Sequence, residues 1–92
     1  MKRIMRRDRL KIYGDLLSAL SNNSGSEKIV LTQIQIKINV PFDRLKKYLK
    51  ELVDLGLIEN ENSPNLTEKG KQYLRDYRHV LDFMRRMGLE YR

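Results

Sequence analysis

Between Lys28 and Phe42 the chain reads KIVLTQIQIKINVPF, with Val30, Thr32, Ile34, Ile36, Ile38 and Val40 on alternate positions. A period of two marks a half-buried strand. A second period runs through the same residues. With Thr32 as an N-cap, Ile34 and Ile38 share one helix face, Leu31 sits just before them, and Gln33, Gln35 and Lys37 lie mostly outward. The helical reading strands Ile36 on the wrong side. The strand reading runs straight into Pro41 and a further helix with almost no turn residues. Asn39, Val40 and Pro41 have the length of the turn in a helix-turn-helix. The pattern supports both readings, and the architecture of the whole chain depends on which one holds.

The next segment, from Phe42 to Gly56, is less ambiguous. In FDRLKKYLKELVDLG, Leu45, Leu49 and Leu52 form an apolar stripe flanked by Phe42, Tyr48 and Val53. Asp43, Lys46, Lys47, Lys50 and Asp54 fall opposite, with Arg44 and Glu51 at one edge. Pro41 suits a helix start, where its missing N–H costs nothing. Gly56 suits the left-handed residue that ends a helix.

Upstream, RRDRLKIYGDLLSALS repeats Leu10, Tyr13, Leu16, Leu17 and Leu20 at helical spacing, with Asp8 placed to cap the helix or sit in its first turn. The small polar cluster Ser21 to Glu27 ends it. Downstream, GLIEN and PNLT around a polar tip predict a β-hairpin, and EKIVL offers a third short strand. The opening stretch then divides, with Lys28 to Leu31 as strand and Thr32 to Asn39 as helix.

Thr67 caps the last predicted helix, with Glu68 in its first turn. Along it Tyr73, Tyr77, Val80, Met84 and Met87 recur at coiled-coil spacing. A helix of about 20 residues is some 30 Å long, about the width of a small domain, so its far half is expected to project. A two-fold homodimer through Tyr77, Val80, Leu81, Met84 and Met87 would cover that apolar face. The alternative is a helix folded back on its own domain, and Gly88 is expected to fray the end.

The chain has 92 residues, enough for one small domain with one core. Its net charge of +7 favours an anionic partner. It has no cysteine, so neither a disulfide framework nor a thiolate metal site is expected. No run is long and apolar enough to span a bilayer, and a cytoplasmic location with no membrane partner is the default. The single histidine, His79, has no second histidine or cysteine to complete a metal or nucleophile pair. No glycine-rich phosphate loop appears. No enzyme activity, cofactor, metal or small-molecule ligand is therefore expected.

The order helix, short strand, helix, turn, helix, hairpin, helix resembles the small archaeal winged helix-turn-helix DNA-binding proteins, related in shape to the MarR and PadR regulators. The resemblance rests on RLKKYLKELVDLGLIE, the polar gap and LTEKGKQYL, and covers about residues 6 to 78. Thr32 matches the threonine that opens that family's second helix, and Tyr48 and Leu49 match its mid-helix pair. Gly56 to Ile58 match the start of the wing, and Thr67 to Gly70 match a T-E-K-G signature at the last helix. Pro41 departs from the usual capping residue, and Asp43 places an acid on the DNA face.

The resemblance implies a mostly α fold with a small β-hairpin wing and an extended C-terminal helix. It makes Thr32 onward helical, and with the charge of the N-terminal segment and the spacing of the last helix the chain is expected to divide into a basic arm at 1–9, a winged-helix core at 10–77 and a C-terminal dimerisation helix extension at 78–92. It implies a double-stranded-DNA-binding transcriptional regulator with its third helix in the major groove, and the spacing along the last helix adds the homodimer. Phe42, Arg44, Lys46, Lys47 and Lys50 are the candidate contacts, with Lys37 and the arm residues Arg6 and Arg7. Arg44 suits guanine and the lysines suit phosphates. The wing holds Asn60, Asn62, Ser63 and Asn65 but no Lys or Arg, so no strong wing contact is expected. The alternatives are a winged-helix adaptor for an acidic protein and a non-specific chromatin-type DNA-binding protein.

Overall fold

The structure, a computed structural model, describes residues 3–22 and 31–91. Its elements are β1 (Arg3–Met5), α1 (Arg9–Asn22), α2 (Leu31–Ile38), α3 (Phe42–Asp54), α4 (Glu68–Arg86) and β2 (Leu89–Tyr91). The isoleucine stretch is helix. Ile34 and Ile38 are buried, and Ile36 is 73% exposed, so the apparent alternation comes from one outward isoleucine. Leu31 already belongs to the helix and Asn39 does not. The strand expected over Lys28 to Leu31 falls outside the described residues except at Leu31.

One core joins the four helices: Leu16, Leu17 and Leu20 from α1, Ile34 and Ile38 from α2, Leu45, Leu49 and Leu52 from α3, and Leu74 from α4. Each set follows helical spacing, so each helix turns one apolar face inward. On α1 the stripe is rotated from expectation, because Ile12 is buried while Leu10 is exposed.

The predicted hairpin is present in its smallest form. Ile58 and Leu66 make an antiparallel bridge, and backbone bonds from Glu59 N to Asn65 O (2.9 Å) and Thr67 N to Leu57 O (3.1 Å) flank it. At its tip Asn60 Oδ1 accepts from Ser63 N at 2.6 Å.

The first and last described strands meet, which helical and strand periodicity do not anticipate. β1 and β2 pair in parallel with Arg3 opposite Leu89, Ile4 opposite Glu90 and Met5 opposite Tyr91. Parallel pairing needs a long crossover, and here the whole helical domain supplies it. Gly88 does not fray α4; at φ 79 it turns the chain back along the helix, and its carbonyl accepts from Arg3 N at 2.8 Å. α4 therefore ends at Arg86, and residues 89–91 are strand. Residues 1–9 likewise include a strand as well as basic side chains.

Asp8 ties this clip to α1. Its carboxylate caps the helix by accepting from Lys11 N at 3.0 Å and also accepts from the Tyr91 hydroxyl at 3.0 Å. Losing a cap costs about 1 kcal/mol, and a hydrogen bond to a charged group contributes a similar amount when exposed. Asp8→Ala is expected to lower the thermal midpoint by roughly 10 °C and to speed amide exchange across Leu89–Tyr91. Asp8→Asn keeps a capping oxygen and is expected to recover about half of that loss.

Candidate nucleic-acid interface

The geometry of α3 is set at both ends by the backbone. At its start, Asn39 takes a left-handed conformation (φ 57), tolerable for asparagine, and the amides of Asn39 and Val40 both reach the Gln35 carbonyl (2.9 and 3.4 Å). Pro41 then stands at the N-cap in extended conformation with no side-chain cap, so Phe42 leads the helix. At its end, Gly56 (φ 76) completes a Schellman turn: Leu57 N bonds Leu52 O at 2.9 Å and Gly56 N bonds Val53 O at 2.9 Å. Leu52 and Leu57, both buried, make the apolar contact that accompanies this turn.

The first turn of α4 holds the same end, and each residue of the TEKG stretch has a part in it. Thr67 Oγ1 accepts from Gly70 N at 3.1 Å and donates to Gly56 O at 2.6 Å. Glu68 lies in the first turn, where its charge suits the helix dipole. Lys69 Nζ donates to Leu55 O at 2.7 Å. Gly70 lets the helix approach so closely that a Cβ there would overlap the Leu57 carbonyl oxygen. The wing and the last helix thus fix the C-terminus of α3.

From the side, α1 grips α3 through Glu51. The Tyr13 hydroxyl donates to Glu51 Oε1, and Arg9 Nε pairs with the same oxygen at 3.1 Å. The Arg9 guanidinium also lies 4.8 Å from the Tyr48 ring centre. Burial, followed by the bond to Glu51, pushes the Tyr13 pKa up to about 12, so the phenol remains a donor at neutral pH. Reading Glu51 only as the edge of the basic face missed this role. The available signal was that Tyr13 recurs on the apolar face of α1 while carrying a hydroxyl that needs a partner.

The exposed surface of α3 carries Phe42, Asp43, Arg44, Lys46, Lys47 and Lys50, while Leu45, Tyr48, Leu49 and Leu52 are buried. Lys46 Nζ lies 5.9 Å from the Phe42 ring centre. Lys37 is exposed on the last turn of α2. Of the two arm candidates, Arg6 is exposed, whereas Arg7 is turned inward onto Asp15 at 3.3 Å. Five of the eight candidate residues are therefore gathered on one helix.

The apolar side chains of α4 are divided differently from the heptad expectation. Tyr77 (5% exposed) and Met84 (7%) are buried within this chain, Val80 and Leu81 are half-buried, and Met87 is 59% exposed. Tyr77 fills a notch at Gly14, where a Cβ would overlap its ring, and stacks with Tyr73 at 6.2 Å. β2 packs on α4, and Met84 lines a cavity there with Leu81, Leu89 and Tyr91. Phe83, outside the heptad positions, is 52% exposed.

No group of His, Cys, Asp or Glu able to hold a metal ion occurs among the described residues. No described helix is long and apolar enough to cross a membrane. A family model described as winged helix-turn-helix matches residues 6–85. The chain belongs to the winged helix-turn-helix family, a family that typically binds DNA and is not enzymatic. No curated protein and no solved structure matches it.

Proposed function

We propose that this winged helix-turn-helix chain is a transcriptional regulator that binds duplex DNA as a homodimer, with α3 in the major groove. The observation that carries the reading is a contrast in neutralisation. Three cations of α1 and its approach are matched: Arg7 and Lys11 pair with Asp15, and Arg9 pairs with Glu51. Among the described residues, no ion pair involves Arg44, Lys46, Lys47 or Lys50. Four cations without an ion pair thus stand on the exposed face of α3, against Asp43 and Asp54, in a chain of net charge +7. Such a surface attracts a polyanion.

In this arrangement the lysines hold phosphates, and Arg44 can make a bidentate contact with guanine. Lys37 and Arg6 extend the basic surface beyond α3. The test is fluorescence anisotropy of a labelled duplex titrated at several salt concentrations. With four or five phosphate contacts, log K is expected to fall against log salt with a slope of about −4. No duplex binding, together with salt-insensitive binding to an acidic protein, would replace this reading with that of an adaptor.

The dimer contact is assigned to the outward part of α4. Phe83 and Met87 are exposed there beside half-buried Val80, and an isologous contact would bury this patch twice. A two-fold dimer also suits two successive major grooves, about 34 Å apart. Because Tyr77 and Met84 are buried in the chain's own fold, the informative variant spares both. Phe83→Asp with Met87→Asp is expected to give a folded monomer by light scattering, with weaker duplex binding.

A further inference from the structure

We propose that the first turn of α3 reads pyrimidines: the Phe42 ring packs on the C5-methyl group of thymine, and the Asp43 carboxylate accepts from the N4 amino group of cytosine. This deepens, and rests on, the reading of α3 as the helix in the major groove. Phe42 is the large apolar residue left exposed at the N-terminal end of α3. The core beside α3 is filled by Leu45, Tyr48, Leu49 and Leu52, and Phe42 stays 42% exposed at the leading end of the helix. Pro41 before it provides no side-chain cap, so no hydroxyl or carboxylate at that position competes for the approach.

The N-terminal residues of a recognition helix are those that reach base edges. The one apolar group that bases present in the major groove is the thymine methyl. An exposed ring at that end has this partner and no equivalent on guanine, adenine or unmethylated cytosine. Lys46, one turn along with its amine 5.9 Å from the ring centre, can reach a phosphate while the ring faces the groove floor.

Asp43 is the neighbouring anomaly, an exposed acid in the first turn of a helix face whose middle carries Arg44, Lys46, Lys47 and Lys50 and whose other exposed acid, Asp54, lies at the far end. The helix dipole favours it in the first turn, yet it repels phosphates. An ionised carboxylate only accepts hydrogen bonds, so it needs an amino group. Adenine sets its N6 amine beside the N7 acceptor, which repels the second carboxylate oxygen. Cytosine presents N4 without that neighbour. The first turn therefore supplies base choice, and the lysines after it supply grip.

The experiment starts from duplexes selected by the wild-type protein out of a random pool, which are expected to be enriched in thymine and cytosine at fixed positions. Thymines in the selected duplex are then replaced by deoxyuridine, which removes only the methyl groups. Wild-type affinity is expected to fall about fourfold for each contacted methyl, the size of effect of one buried methyl group. Phe42→Ala, with an unchanged melting midpoint, is expected to bind both duplexes equally, which cancels any change in the DNA itself. Asp43→Asn is expected to move the cytosine preference to adenine, since an amide matches N6 and N7 together. Equal wild-type affinity for thymine and deoxyuridine duplexes, or a selection without thymine enrichment, would overturn the assignment while leaving DNA binding intact. Failure of the wild type to bind any duplex would overturn the underlying reading instead.

Discussion

Gly70→Ala is expected to lower stability by about 3 kcal/mol, at the upper end of what overpacking costs. Two terms compete at this position. Alanine is the better helix former, which favours the variant by about 1 kcal/mol. Against that, the added Cβ meets the Leu57 carbonyl oxygen, a backbone atom fixed by the Schellman turn and by its bond from Thr67 N. A carbonyl held at both sides cannot rotate away as a side chain would, so α4 must lift from the wing. Gly56→Ala makes a useful comparison, because its nearest neighbour is Lys69 Cδ at 3.9 Å and only its φ of 76 is at stake. That variant is expected to cost about 1–2 kcal/mol, the penalty of a left-handed alanine. Thermal melts of both variants separate the close approach from the dihedral. A Gly70→Ala midpoint within a few degrees of wild type would show that α4 does not bear on the wing this closely.

Replacing Lys46, Lys47 and Lys50 together by alanine is expected to weaken duplex binding by at least tenfold and to reduce the salt slope by up to about one unit per lost phosphate contact. The melting midpoint is expected to stay within a few degrees, because none of the three is in an ion pair and all are exposed. Lys46 gives up its approach to the Phe42 ring, a contribution of well under 1 kcal/mol at an exposed site. Unchanged affinity and slope in this variant would remove α3 from the interface. A control triple on α4, Lys71, Arg75 and Arg78 to alanine, changes the net charge equally and is expected to affect affinity far less.

The elements that were legible in the sequence are those whose signal is local and repeated. α1, α3 and α4 each span at least three turns, with their apolar stripes, and Asp8, Pro41, Gly56 and Thr67 mark their ends. α2 was legible only with the resemblance, because eight residues hold too few turns for the pair Ile34 and Ile38 to outweigh an exposed Ile36. The β1–β2 clip was not legible. Three-residue strands carry no period, and the bond from Tyr91 to Asp8 spans a separation of 83 residues. The heptad spacing of α4 was real, but it did not say which surface would cover it. Tyr77 and Met84 are buried by this chain, one at a glycine notch and one under β2, leaving Phe83 and Met87 outward. The basic residues of α3 were legible individually. Their lack of acidic partners, unlike Arg7 and Arg9, became visible only when α1 and α3 were placed together.

The most direct test of the central claim is amide chemical-shift mapping of the full chain during titration with duplex DNA. The largest perturbations are expected over Phe42–Lys50, with smaller ones at Lys37 and little change at Leu89–Tyr91. Perturbations centred on Val80–Met87 with α3 unmoved, or none at saturating duplex, would contradict the assignment of α3 as the DNA-binding helix.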